Sequence, residues 1–228
     1  MTESLRTGQQ VSGSGEMQDW NMSLIEAMTT QRAIRRLRPD PVDDALVLRL
    51  IELATKAPTG GNQQNWEFVV VRDAAVKAGL ARANRQALGA SLGLIKFVKR
   101  NHPSTLRSIA DGEWQRDHFE EIPVIVVACL RGPRLIHPPM LASNYYGSIF
   151  PAVQNLLLAA RAIGLGAGLT TMPLWSMRRA QRLLGLPRNV KPCALIPLGW
   201  PIGRYGPTQR TPVGRVVHVD RHGNQPFG

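Results

Sequence analysis

Apolar positions recur at helical spacing in two early stretches of the chain. Ser23 and Glu26 form a Ser-x-x-Glu capping box ahead of Leu24, Ile25, Ala27 and Met28, which predicts a short helix ending near the basic run from Arg32 to Arg38. Pro39 and Pro41 force an extended connection, and Asp43 is placed to cap a second helix in which Val47, Leu50, Ile51 and Ala54 follow i, i+3, i+4, i+7. That helix must stop at Ala57, before Pro58. Residues 66–71 read as a strand from their aromatic and β-branched content, and residues 122–130 as a continuous apolar strand of the kind buried on both faces of a sheet. Between them, residues 74–88 read as helix and 101–112 as a variable, partly helical excursion; Pro133, Pro138 and Pro139 mark a loop. Pro151 can open a long helix lined on one side by Ala152, Val153, Leu156, Leu157, Ala160 and Ile163 and closed by Gly164. Residues 176–184 predict a short helix closed by Gly185, and residues 194–198 another core strand. Helix and strand alternate without a linker-like break, which argues one α+β or α/β domain over residues 23–228.

Composition narrows the class. A chain of 228 residues with 43% hydrophobic and 19% charged positions folds, and the longest uncharged apolar run near its middle, residues 122–130, is far short of the about 20 residues a membrane span needs. Residues 1–22 are rich in Thr, Ser, Gly and Gln and lack the apolar stretch of a secretory signal; they read as a disordered tail, and the chain as cytoplasmic. Cys129 and Cys193 each sit in an apolar run without a metal-type neighbour, as buried thiols in a reducing compartment. The 28 Lys and Arg exceed the 16 Asp and Glu by 12. The 23 arginines are scattered from Arg6 to Arg221, with no recognition helix, zinc finger or aromatic RNA-binding signature. A solvated Arg-rich surface therefore outweighs a nucleic-acid footprint; the latter predicts steeply salt-dependent DNA binding.

Several chemistries fail on spacing. Gly164, Gly166 and Gly168 end a helix instead of opening one, and Leu169 stands where a dinucleotide fingerprint needs its third glycine. Ser148 lacks the Gly-x-Ser-x-Gly elbow, and the five histidines show no paired ligand spacing. The informative cluster is Arg32, Arg35 and Arg36 with the glycine-rich loop after Pro58 and the late Arg210. Guanidinium forks grip phosphate, and glycine turns let backbone approach an anion or a planar ring. By composition alone, a phosphorylated cofactor and a solvated basic face both remain open.

Order and spacing add a resemblance. Residues 30–37, Thr-Gln-Arg-Ala-Ile-Arg-Arg-Leu, then Pro41-Val42, residues 57–66, Ala-Pro-Thr-Gly-Gly-Asn-Gln-Gln-Asn-Trp, and Phe68-Val69-Val70-Val71 resemble the N-terminal signature of the nitroreductase-like FMN-dependent oxidoreductases. The likeness continues through residues 154–160, Gly164-Leu165-Gly166, Leu184-Gly185-Leu186-Pro187, residues 196–201 and Arg210-Thr211-Pro212, covering roughly residues 23–215. It implies an α+β fold with a central mixed sheet flanked by helices, an intertwined homodimer, and one FMN in each of two interface sites. In the family the early Arg motif and the late Arg-x-Pro hold the FMN phosphate. That role falls on Arg32, Arg35 and Arg210, with Ala33 and Arg36 in the same motif. The glycine-rich loop meets the flavin from the partner subunit, pointing to Thr59, Gly60 and Asn62 with Gln64 close by, and Thr170 and Thr171 are the polar candidates along the flavin ring. Tyr145, Tyr146 and residues 85–120 form the acceptor pocket, although one helix start does not easily aim both rings into one pocket.

The chain departs from the family at Gln31, Ala33 and Leu37, where Arg, Ser and Phe are frequent, and at Thr59, where Ser is frequent. Losing one guanidinium and one hydroxyl weakens the phosphate grip by about 1–3 kcal/mol unless Arg36 or Thr208 replaces them. The implied activity is ping-pong hydride transfer from NADPH or NADH through FMN to nitroaromatic, quinone or related electron-poor acceptors. A flavin-degrading or flavin-storing relative of the same fold is the alternative, and a basic nucleic-acid-binding protein the alternative from another class.

Overall fold

The computed structural model describes residues 20–99, 103–132 and 139–228, with the side chains of residues 90–108 and 133–141 left undescribed. Residues 1–19 of the tail and the proline loop at 133–138 lie outside the described residues. Helix α1 (Leu24–Thr30) is capped by Ser23, whose hydroxyl accepts from the Glu26 amide, and α2 (Asp44–Ala54) by Asp43, whose carboxylate accepts from Ala45. Strand β1 (Trp66–Val71) leads into α3 (Ala74–Lys99) and α4 (Pro103–Asp117). Then follow β2 (Val124–Arg131), α5 (Pro139–Ala162), β3 (Gly166–Ala167), α6 (Met177–Leu183) and β4 (Val190–Gly199). No helix among the described residues is long and apolar enough to cross a membrane.

The strands form one sheet in the order β1-β2-β4-β3. Alternation along β2 sends Val124, Val126, Ala128 and Leu130 into a layer shared with Val47 and Leu50 of α2 and Ile149, Val153 and Leu156 of α5. Ile125, Val127 and Cys129 enter the opposite layer with Leu80 of α3, Phe119 and Ala180 of α6. Both faces are thus covered, which accounts for the unbroken apolar run. Each fully buried Val, Ile or Leu here contributes about 1.5–3 kcal/mol relative to exposure. The register shifts between Ala128 and Cys129, so Cys193 is the extra residue of a bulge in β4 and faces the same layer as Ala194. The two thiols therefore lie in opposite layers, and both are reduced.

Three expectations are corrected. The sheet is not mixed among the described residues, where every strand pairing is antiparallel; the edge beyond β3 carries only the segment around Ile34, not a parallel strand. Pro151 does not open α5 but sits inside it. It forfeits the bond from its nitrogen to the carbonyl four residues back, while buried Tyr145, Ile149, Ala152 and Val153 bind the helix to the core on both sides of it. Of the excursion at 101–112, residues 101–102 lie outside the described residues and 103–112 are helix throughout, since Pro103 starts α4 at the position where a missing N–H costs nothing.

The segment after α1 is held against the end of this sheet. Ile34 N–H donates to the Ala167 carbonyl of β3 at 2.9 Å, Arg38 N–H to Trp200 at 2.7 Å, and Ile202 N–H to Arg36 at 3.0 Å. The approach demands glycine: a Cβ on Gly166 would stand 2.6 Å from Leu37 Cδ2 and 3.0 Å from the Gly199 carbonyl oxygen. Gly166→Ala is expected to cost about 1–3 kcal/mol, since one neighbour is rigid backbone; urea unfolding checks this, and an unchanged midpoint contradicts the close approach. Burial pushes the Cys129 thiol up to about 12 and the Cys193 thiol to about 11. Both should resist a thiol reagent at about pH 8 and react once the chain is unfolded. Alkali favours the unfolded chain for the same reason, so their contribution to stability is lost as pH rises past about 8.5, the value of an exposed thiol.

Candidate functional site

Beyond β3 the chain leaves a cleft of about 570 Å³. Gln31, Arg32, Ala33 and Arg35 form one wall, residues 207–210 the facing wall, and Leu157, Leu169 and Asp111 complete it. A smaller cleft of about 170 Å³ shares Arg32, Ala33, Arg35 and Asp111 and adds Arg36 and Arg204. The walls come together through backbone: Thr208 donates both its N–H, at 3.0 Å, and its hydroxyl, at 3.1 Å, to the Thr29 carbonyl in the last turn of α1. That carbonyl is one of those a helix end leaves without an internal donor.

The charges divide by their partners. Arg36 Nε donates to Asp111 Oδ1 at 2.9 Å, and its guanidinium lies 6.0 Å from the centre of the Trp114 ring. Asp111, the one carboxylate among the lining residues, is thereby engaged. Among the described residues Arg32 and Arg35 make no hydrogen bond or ion pair, and Arg210 makes only an Nη1 donation to its neighbour's carbonyl, at 2.8 Å. Arg35 is half-buried, and desolvation pulls its pKa below the ordinary guanidinium value against the opposing pull of Asp111. A guanidinium placed so, with donors pointing at an open cleft, is set for an anion.

The structure brings Arg32, Ala33, Arg35 and Arg210 to this cleft and Arg36 to its smaller neighbour. The glycine-rich loop stands apart from the cleft lining. Residues Gly60–Asn62 form a single tight turn in which Gly61, Asn62 and, just beyond, Gln64 take φ of 58°, 52° and 48°. Thr59 Oγ1 accepts from the Gln64 amide and Gln64 Nε2 donates to Asn62 Oδ1. Gly60 is locked onto α5: its N–H donates to Ser148 Oγ at 3.3 Å, and a Cβ would sit 2.4 Å from Asn144 Oδ1. Thr170 bridges to Leu195 of β4 and its hydroxyl accepts from Met172, while Thr171 is exposed; neither lines the cleft, but Leu169 beside them does. The tyrosines diverge. Tyr145 is buried, its hydroxyl donating to the Leu130 carbonyl at 2.9 Å, and burial pushes its pKa upward. Tyr146 remains 38% exposed and meets Tyr145 edge-on at 5.4 Å.

Sequence reasoning missed Asp111, Leu157, Leu169 and Gln209 as cleft residues. Asp111 lies on α4, in the stretch read as irregular, and nothing in its spacing pointed to the arginines. Leu157 was legible only as a helix core position.

The sequence model of the Nitroreductase family matches residues 28–200. The chain is 27% identical to an NADH dehydrogenase of Thermus thermophilus, over 86% of this chain and 97% of that protein. It is 25% identical to iodotyrosine deiodinase 1 of Rattus norvegicus, over 82% of this chain and 65% of that protein. A crystal structure of oxidized iodotyrosine deiodinase bound to FMN and 3-iodo-L-tyrosine superposes with a TM-score of 0.63 at 22% identity, covering 83% of this chain and 96% of the other, which establishes likeness of fold.

Arg35→Met removes the half-buried charge and keeps the aliphatic stem. Its ligand-free unfolding midpoint should equal or exceed the parent's, because an unpartnered charge is taken out of the interior. Phosphate should stabilise the parent by about 1.4 kcal/mol at ten times its dissociation constant and the variant by much less. Calorimetry with and without phosphate checks both, and a large loss of ligand-free stability contradicts the absence of a protein partner.

Proposed function

The chain belongs to the nitroreductase family, and from that premise we propose that it is a cytoplasmic, homodimeric FMN-dependent NAD(P)H oxidoreductase whose arginine cleft holds the flavin phosphate. The observation that carries this reading is the convergence of Arg32, Arg35 and Arg210 on one cleft whose carboxylate is already engaged by Arg36. The donor set fits a phosphate monoester: three guanidinium groups that have no acidic partner among the described residues, and the Gln31 amide. Gln31 keeps a donor where the family often has arginine; the hydroxyl that Ala33 lacks is not replaced by Thr208, whose own hydroxyl donates to the Thr29 carbonyl.

Bound there, FMN supplies hydride transfer through its N5, from NADPH or NADH to a nitroaromatic, quinone or related electron-poor acceptor. The protein needs no side-chain nucleophile for this. Its residues would bind and orient it: Arg32, Arg35 and Arg210 would hold the phosphate with Ala33 beside them, and Thr170 and Thr171, outside the cleft lining, are the polar candidates along the ring. Thr59, Gly60, Asn62 and Gln64 come from the partner subunit. Tyr146 lines the acceptor pocket, with Tyr145 as its buried brace. The dimer is supported by α1, whose Leu24, Ile25 and Met28 are 65%, 75% and 59% exposed on a helix that buries only Ala27. A free-thiol pair supports the cytoplasmic reading.

Purified protein should be yellow, release FMN on denaturation, and bleach anaerobically with NADPH or NADH. A colourless protein that takes up no FMN sinks the proposal. Consumption of the flavin itself during turnover would instead favour the flavin-degrading relative. Trials with a nitroaromatic, a quinone and 3-iodotyrosine assign the acceptor class. Arg210→Ala should weaken FMN binding about ten- to a hundredfold with the far-ultraviolet circular dichroism unchanged; equilibrium dialysis measures it, and unaltered flavin content argues against the phosphate assignment.

A further inference from the structure

Outside the cleft lining, Arg161 in the last turn of α5 has only 11% of its side chain exposed. Burying a guanidinium to that degree costs several kcal/mol unless its donors and faces are occupied. Its Nε, its Nη2 and one of its faces find partners on the two segments that carry the cleft. Nε donates to Thr30 Oγ1 at 2.8 Å and Nη2 lies 3.7 Å from Glu26 Oε1, both on α1. The face of the guanidinium lies 4.2 Å from the centre of the Tyr205 ring, a distance at which cation and aromatic attract. Tyr205 is fixed in turn: its hydroxyl donates to the Leu165 carbonyl at 2.6 Å, and burial keeps that phenol protonated by pushing it up to about 12. Three residues on, Thr208 clasps the Thr29 carbonyl.

Chain order makes this cluster informative. Thr30 is followed at once by Gln31 and Arg32, and Tyr205 and Thr208 by Gln209 and Arg210. One guanidinium therefore ties the roots of both cleft walls. The geometry points to Arg161 and Tyr205 as positioning residues that fix the separation of Arg32 and Arg210 across the cleft, and so set affinity for the phosphate of the cofactor without touching it. This rests on the phosphate reading of the cleft. It goes beyond that reading in assigning phosphate affinity to a cluster outside the cleft lining.

The test compares FMN with riboflavin, which shares the ring and lacks the phosphate, titrated by flavin fluorescence into the full chain freed of flavin. Arg161→Leu should lower FMN affinity about tenfold or more while riboflavin affinity stays within about twofold. Arg161→Lys, which keeps the charge and loses the planar stack, should recover part of the loss. In an Arg210→Ala background the Arg161→Leu loss should shrink to about twofold or less, because the wall it positions no longer carries its guanidinium. Tyr205→Leu should show the same FMN-selective loss and serves as the deciding variant if Arg161→Leu does not fold. A parent protein that binds riboflavin as tightly as FMN overturns the phosphate reading itself. A parent that discriminates, with variants that lose both flavins equally or losses that add fully to that of Arg210→Ala, overturns the positioning role alone.

Discussion

Strands β2 and β4 pair at the centre of the sheet with side chains packed on both faces, and this double burial governs where the rest of the chain can go. Helices α2 and α5 must cover one face and α3 and α6 the other, so neither face is left for polar chemistry. Polar work is displaced to the margin of the sheet, where β3 is only two residues long. The register that pairs Gly166 with Gly199 and Thr170 with Leu195 sets Gly168 opposite Pro197, which has no N–H to offer. The ladder breaks there, and Leu169, next in sequence, faces the cleft. On the outer side of β3 the arginine segment bonds to Ala167, an approach that a side chain at position 166 would obstruct.

Burial without a partner separates the arginines of the cleft from the others. Arg161 has Thr30 at its Nε, Glu26 near its Nη2 and the Tyr205 ring on one face, so its charge is accommodated within the fold. Arg36 has Asp111. Arg35 is half-buried with no acceptor among the described residues, and that burial lowers its affinity for its own proton. On the proposed reading, an anion arriving would recover the local cost of that burial, and the imbalance would act as a binding device. The formal charge of +12 acquires a more specific meaning: most of it is dispersed over the surface, while a small uncompensated part is concentrated in one concavity.

Much of the architecture could be read from the chain because it is written in local signals. Ser23 and Asp43 cap their helices, Gly164 and Gly185 take the positive φ of helix ends, and β1 spans the residues its composition indicates. Pro151 misled because its local preference for a helix start is overridden by burial on both sides. Helix α4 was hard to see because it has little amphipathic periodicity to betray it. For the site, the arginines stood out through order and spacing, and the cleft collects them. Asp111 and Leu169 did not, because their roles depend on long-range placement that no local pattern encodes. The tyrosines show the same limit at single-residue scale, since one step around α5 turns Tyr145 inward and Tyr146 outward.

The position of the glycine-rich loop bears on assembly. Gly60 is seated on Asn144 and Ser148, whereas Leu157 of the same helix lines the cleft and Arg161 braces it. At 1.5 Å per residue, positions 144 and 157 are about 20 Å apart along α5. The loop and the cleft are thus held towards opposite ends of one helix, fixed by contacts that leave little room for adjustment. On the proposed reading, a ligand that needs both would draw them from different copies. A twofold axis crossing between them would bring each loop to the other's cleft, forming two equivalent sites from one self-complementary contact. On the proposed reading, the exposed apolar face of α1, whose last turn leads directly into Gln31 and Arg32, would be covered in the same step. Cofactor binding and association would then stabilise each other, because each completes surfaces that the single protomer leaves unfinished.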